Sequence, residues 1–122
     1  MSKEPTIDIL HQEEDGLHIL HLAGRLDSVT SPEAEQRIVE IIEKGDLLVV
    51  NLKDLVFISS AGLRLILVFM KKTKKRNARM IFCSPGDHIL KTFEVSNFLE
   101  FLEIATSLEE ALLRAKQAKK NA

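Results

Sequence analysis

LLVVNLKDLVFISSAGLRLILVFM, residues Leu47 to Met70, carries a strand, a turn and the start of a helix in one run. Leu47 to Leu52 is apolar at every position but Asn51. That composition belongs to a strand covered on both faces, and it predicts a place in the middle of a sheet. Lys53 and Asp54 predict a turn, after which Leu55 to Ile58 delivers Ser59 and Ser60 to a helix. Leu63, Ile66, Leu67 and Met70 follow the i, i+3, i+4, i+7 spacing of a core-facing stripe. Ser60 then falls at the N-cap, where its hydroxyl can accept from the amide of Gly62 or Leu63. Such a terminus also favours phosphate, because the helix dipole and the free amides point at it. By residue chemistry alone, capping is the commoner role for a serine there.

Outward from this stretch, Thr6 to Gln12 and Leu17 to Ala23 flank Asp15-Gly16, a hairpin signal. Ser31-Pro32 opens a helix with Ala34, Ile38, Ile41 and Ile42 inward, and Gly45 closes it. Ala78 to Cys83 lies beyond a helical crossover, which predicts a strand parallel to Leu47–Leu52. Ser84-Pro85-Gly86 begins a helix with Ile89, Leu90 and Phe93 inward, broken by Ser96 and Asn97. A short strand follows at Phe101 to Ile104. Ser107 and Glu110 then predict a capping box for a last helix that buries Leu108, Ala111, Leu112 and Ala115. The order ββαβαβαβα gives an α/β class: a mixed sheet with an antiparallel opening hairpin and about four packed helices. All 122 residues are expected to form one domain, with a core over 5–115 and a frayed tail over 116–122.

Seventeen basic residues against 18 acidic ones, with neither Trp nor Tyr, leave no basic field or stacking platform for nucleic acid. The run Lys71, Lys72, Lys74, Lys75, Arg76 sits at a helix C-terminus, where cations are favoured electrostatically. With a single cysteine, Cys83, no targeting pattern in Met1 to His11 and no membrane-length apolar run, a cytoplasmic setting without membrane insertion is expected. His18 and His21 lie on opposite faces of a strand and cannot share a metal, and no metal-ligand spacing occurs elsewhere, so neither metal nor cofactor is expected. Ser60 has no Gly-x-Ser-x-Gly elbow and no assignable base, which argues against catalysis. Leu65, Val68 and Phe69 form a second apolar stripe on the Ser60 helix, expected to face outward as a docking surface.

Two spaced segments, VVNLKDLVFISSAGL (Val49 to Leu63) and GRLDSVTS (Gly24 to Ser31), resemble the motifs of the STAS domain as found in bacterial anti-sigma factor antagonists. With the order of elements, the resemblance spans essentially the whole chain. It implies a binding module without catalysis. Its partner would be an anti-sigma factor that is also a serine kinase and itself binds ATP, and phosphorylation of the motif serine would end the binding. Position by position, the acceptor falls on Ser60, with Ala61, Gly62 and Leu63 matching the residues after it. Asp27 and Thr30 match the loop that the family places beside the acceptor. The preceding position, aspartate in the family pattern, is Ser59 here, which makes Ser59 the second candidate acceptor. The expected contact set is therefore Asp27, Thr30, Ser59, Ser60, Ala61, Gly62, Leu65, Val68 and Phe69. The alternative is a STAS-type accessory subunit docked on the ATPase or permease of a transport complex without phosphorylation. Homodimerisation is left open.

Overall fold

Strand β3 is where the chain departs most from its sequence pattern. The computed structural model describes residues 6–120. In it β3 runs unbroken over Leu47–Ile58, with no turn at Lys53 and Asp54. Lys53 and Asp54 are exposed where β3 slips register against its neighbour, from His21 opposite Asn51 to Ala23 opposite Asp54. Asn51 makes the slip tolerable: its Oδ1 accepts from the Lys53 amide at 3.1 Å, and its Nδ2 lies 3.0 Å from His21 Nδ1. A buried polar residue thus satisfies an amide that the extra residue takes out of the ladder.

Around β3 the elements run β1 (Ile7–Glu14), β2 (Leu17–Leu26), α1 (Ser31–Lys44), β3, α2 (Ser60–Lys75), β4 (Arg79–Cys83), α3 (Asp87–Val95), β5 (Glu103–Ala105) and α4 (Leu108–Lys120). The sheet order is β1-β2-β3-β4-β5, with β1 antiparallel to β2 and all other pairs parallel. This is the mixed α/β architecture that the pattern predicts. Asp15 and Gly16, both at positive φ, turn the opening hairpin.

Alternation along the strands divides the core. Leu48, Val50 and Leu52 join Leu20, Leu22, Met80 and Phe82 beneath α1, α2 and α3. Leu47 and Val49 face the other way, with Leu17, Ile19, Ile81 and Cys83, against Ala111 and Ala115 of α4. Burial raises the pKa of the Cys83 thiol, as suits a small core residue.

The phase of α2 differs from the sequence expectation. Its buried residues are Gly62, Leu65, Ile66, Phe69 and Thr73. Leu65 and Phe69, expected in an outward stripe, are 4% and 2% exposed, whereas Leu67, expected inward, is 37% exposed. The helix has more apolar positions than one face needs, so periodicity alone could not phase it. Contact through Gly62 sets the rotation. Smaller shifts occur elsewhere. α3 begins at Asp87 rather than at Ser84, with Leu90 outward; β5 lies at Glu103–Ala105; and α4 stays helical through Lys120 where a frayed tail was expected. Residues 1–5 and 121–122, including the ends of the expected core and tail, lie outside the described residues.

The cap of α4 is also displaced. Ser107 Oγ accepts from the Glu110 amide at 3.0 Å as expected. The Glu110 carboxylate, however, reaches past Ser107 to the Thr106 amide and hydroxyl, at 2.9 and 2.6 Å. Those bonds and Arg114 hold the Glu110 pKa down to about 2.

Two outcomes follow. Phe69→Ala should lose about 3–5 kcal/mol in urea unfolding, as a core cavity does, while Val68→Ala, at a half-buried site, costs clearly less. Because the folded pKa of Glu110 lies below its unfolded value of about 4.3, its stabilisation is present above that pH and is lost as pH falls toward about 2. Glu110→Gln should therefore flatten the acid limb of Tm against pH.

Candidate functional site

The candidate site forms where β2 and β3 end and α2 begins. Leu26 closes β2, and its carbonyl accepts the Ser59 amide at 3.0 Å, tying the end of one strand to the helix that follows the other. Ser59, not Ser60, is the N-cap. It is extended (φ −97°, ψ 179°), and its Oγ accepts from the Gly62 amide at 3.3 Å, while its carbonyl accepts the Leu63 amide at 2.9 Å. This corrects the sequence expectation by one residue. Ser60 becomes the first residue of α2, with an exposed side chain.

Gly62 lies directly on the strand ends. A Cβ there would come within 2.5 Å of the Leu26 carbonyl oxygen and 2.7 Å of Ile58 Cγ1. Only glycine allows the first turn of α2 to sit this close.

Asp27 and Thr30 brace the adjoining loop. Asp27 Oδ1 accepts from the amides of Val29 (2.9 Å) and Thr30 (3.1 Å), and Thr30 Oγ1 donates to the Arg25 carbonyl at 2.8 Å. Desolvation opposes ionisation of Asp27, but those amides and nearby Arg25 outweigh it and hold the carboxyl below the usual range. Both residues are buried, so they shape the site from beneath. Val29 of this loop and Val56 near the end of β3 are 59% and 64% exposed.

A groove of about 380 Å³ separates α1 from α2, lined in part by Pro32, Glu35, Ala61, Arg64 and Val68. Ser59, Ser60, Ala61 and Val68 of the expected contact set therefore reach the surface. Leu65 keeps one edge in the groove floor, and Phe69 is withdrawn into the core.

Two features escape sequence reasoning. The Arg25 guanidinium lies 4.2 Å over the Phe57 ring, which stacks on His88 at 5.6 Å, and Arg25 also pairs with Asp27 at 3.6 Å. Nothing periodic connects these positions; the parallel crossover brings α3 to the end of β3. Arg64 is exposed one turn beyond Ser60, a relation legible only once the helix start is known. The histidines separate as expected: His18 contacts His11 at 2.8 Å, and His21 contacts Asn51. Burial and His18 lower the pKa of His11. Among the described residues no group of three His, Cys, Asp or Glu could hold a metal, and no helix is long and apolar enough to cross a membrane.

Comparison with known proteins bears on this site. The STAS domain model matches residues 8–111. The BtrV protein of Bordetella bronchiseptica, provisionally named an anti-sigma factor antagonist, is 33% identical over 85% of this chain and 90% of its own. A crystal structure of an anti-sigma factor antagonist from Mycobacterium paratuberculosis superposes with a TM-score of 0.82 at 22% identity, covering 90% of this chain and 94% of that one. The antagonist SpoIIAA in its unphosphorylated form gives 0.75 at 24% identity, covering 90% and 97%. Its phosphorylated Bacillus form gives 0.68 at 24%, covering 88% and 98%.

Gly62→Ala should lose about 1–3 kcal/mol in urea unfolding, although alanine is intrinsically the better helix former by about 1 kcal/mol. Gly86→Ala, whose Cβ meets open space, should cost less.

Proposed function

This chain belongs to the STAS domain family, and we propose that it is an anti-sigma factor antagonist switched by phosphorylation of Ser60. The observation that carries this reading is the division of labour between the two serines. Ser59 spends its hydroxyl on the cap, which leaves Ser60 exposed on the first turn of α2. A kinase can reach Ser60 without uncapping the helix. Ser59, half-buried and engaged, is the poorer acceptor. The partner in this reading is a cytoplasmic bacterial anti-sigma factor that is itself the serine kinase and supplies the ATP site.

Binding, rather than catalysis, fits the surroundings of Ser60. The acid at the same end, Asp27, has its Oδ1 occupied by the Val29 and Thr30 amides and acts as a loop brace, not as a general base. The partner surface is Ser59, Ser60, Ala61 and Val68 with exposed Val29, while Asp27, Thr30 and Gly62 hold its shape. Leu65 and Phe69 support it from within.

The physical consequence of phosphorylation is local. A phosphate adds about −1.5 to −2 charges at a helix N-terminus, where the dipole tolerates them. The fold therefore persists while the contact surface turns acidic, and binding is lost through repulsion and the cost of desolvating the phosphate.

Incubation with anti-sigma-type serine kinases and ATP should place phosphate on Ser60, identified by mass spectrometry. Ser60→Asp should weaken kinase binding in titration calorimetry with Tm nearly unchanged. An unfolded Ser60→Asp variant, or one that binds as tightly as the parent, defeats the mechanism. Stable co-purification with a transport ATPase and no phosphate would establish the accessory-subunit reading instead.

A further inference from the structure

Position 64 lies one helical turn beyond Ser60, and both residues are exposed on α2. Side chains on an α-helix lean toward its N-terminus, so a long side chain at i+4 covers the surface over residue i. A guanidinium at position 64 is therefore within reach of the turn that presents Ser60, and the Arg64 side chain borders the groove beside Ala61. Glu35 lines the same groove, yet among the described residues Arg64 forms no ion pair. The other arginine at this end of the sheet is committed: Arg25 is held over Phe57 and against Asp27. The first turn of α2 contains no acidic residue to compete for Arg64.

We propose that Arg64 is the receptor for a phosphate carried by Ser60, closing over the first turn of α2 to hold two phosphate oxygens through its planar fork. This rests on Ser60 as the acceptor and adds to it how the modified state is held. In the unmodified chain Arg64 is an outward cation available to an acidic group of the partner. After modification it is drawn back onto the phosphate. One phosphorylation then alters the contact surface twice, by adding an anion and by withdrawing a cation.

Phosphoserine installed at position 60 by genetic encoding requires no kinase, so this test remains decisive even if no kinase modifies the natural chain. The readout is the second ionisation of the phosphate, followed by phosphorus NMR against pH. An isolated phosphoserine titrates near about 6, and contact with Arg64 should lower that by about one unit. In R64Q the value should rise toward about 6, stopping short of it because the helix terminus itself favours the dianion. R64K should fall between, and R25Q should match the parent. Equal values in the parent and R64Q, or a larger change in R25Q than in R64Q, would overturn the assignment.

Discussion

The structure turns on one close approach: the first turn of α2 resting on the end of β2. The Ser59 amide donates to the Leu26 carbonyl, and the missing side chain of Gly62 lets the helix settle against that same oxygen. The contact sets the rotation of α2, and the rotation decides which residues are core. With Gly62 at the sheet, Leu65, Ile66, Phe69 and Thr73 must follow it inward, one and two and three turns on. Ser60, two positions back and on the other side, must then face out. Exposure of the candidate acceptor and burial of Phe69 are two results of one constraint.

The same geometry explains why the loop before α1 is built from Asp27 and Thr30. Leu26 holds α2 only if the chain leaves β2 in a fixed direction, and Asp27 fixes it by accepting two amides that the turn would otherwise leave unpaired. At the other side of the sheet, the edge strand β1 is guarded. Arg37 of α1 donates to the Ile9 carbonyl at 2.9 Å and occupies an acceptor that an incoming strand would need.

Much of the fold was legible in the sequence because the strands and helices carry different periods and the turns carry their own residues. Asp15-Gly16, the apolar β3 and the parallel crossovers are each signalled locally. What failed was phase and boundary. The apolar α2 offers two candidate stripes, and only a tertiary contact through Gly62 chooses between them. Lys53 and Asp54 resemble a turn in composition, but they are the outward residues of a register slip whose amide cost is met by Asn51. For the site, the expected residues Asp27, Thr30, Ser59 and Ser60 do meet at one end of the sheet, but the cap expected at Ser60 falls on Ser59. Adjacent serines cannot be told apart by spacing when a cap moves by one residue. The Arg25, Phe57 and His88 stack had no local signal, since its members meet only through the sheet.

The exchange of aspartate for Ser59 takes on a different meaning once Ser59 is seen to be the cap. Serine and aspartate cap a helix about equally well, so the exchange costs the fold little. It does remove a negative charge adjacent to Ser60, in a turn that holds no other acid. An aspartate there would repel a phosphate on the next residue and compete with it for the free amides and for Arg64. A neutral cap leaves both to the phosphate. On the proposed reading, the departure from the family motif would therefore lower the electrostatic cost of a phosphorylated Ser60.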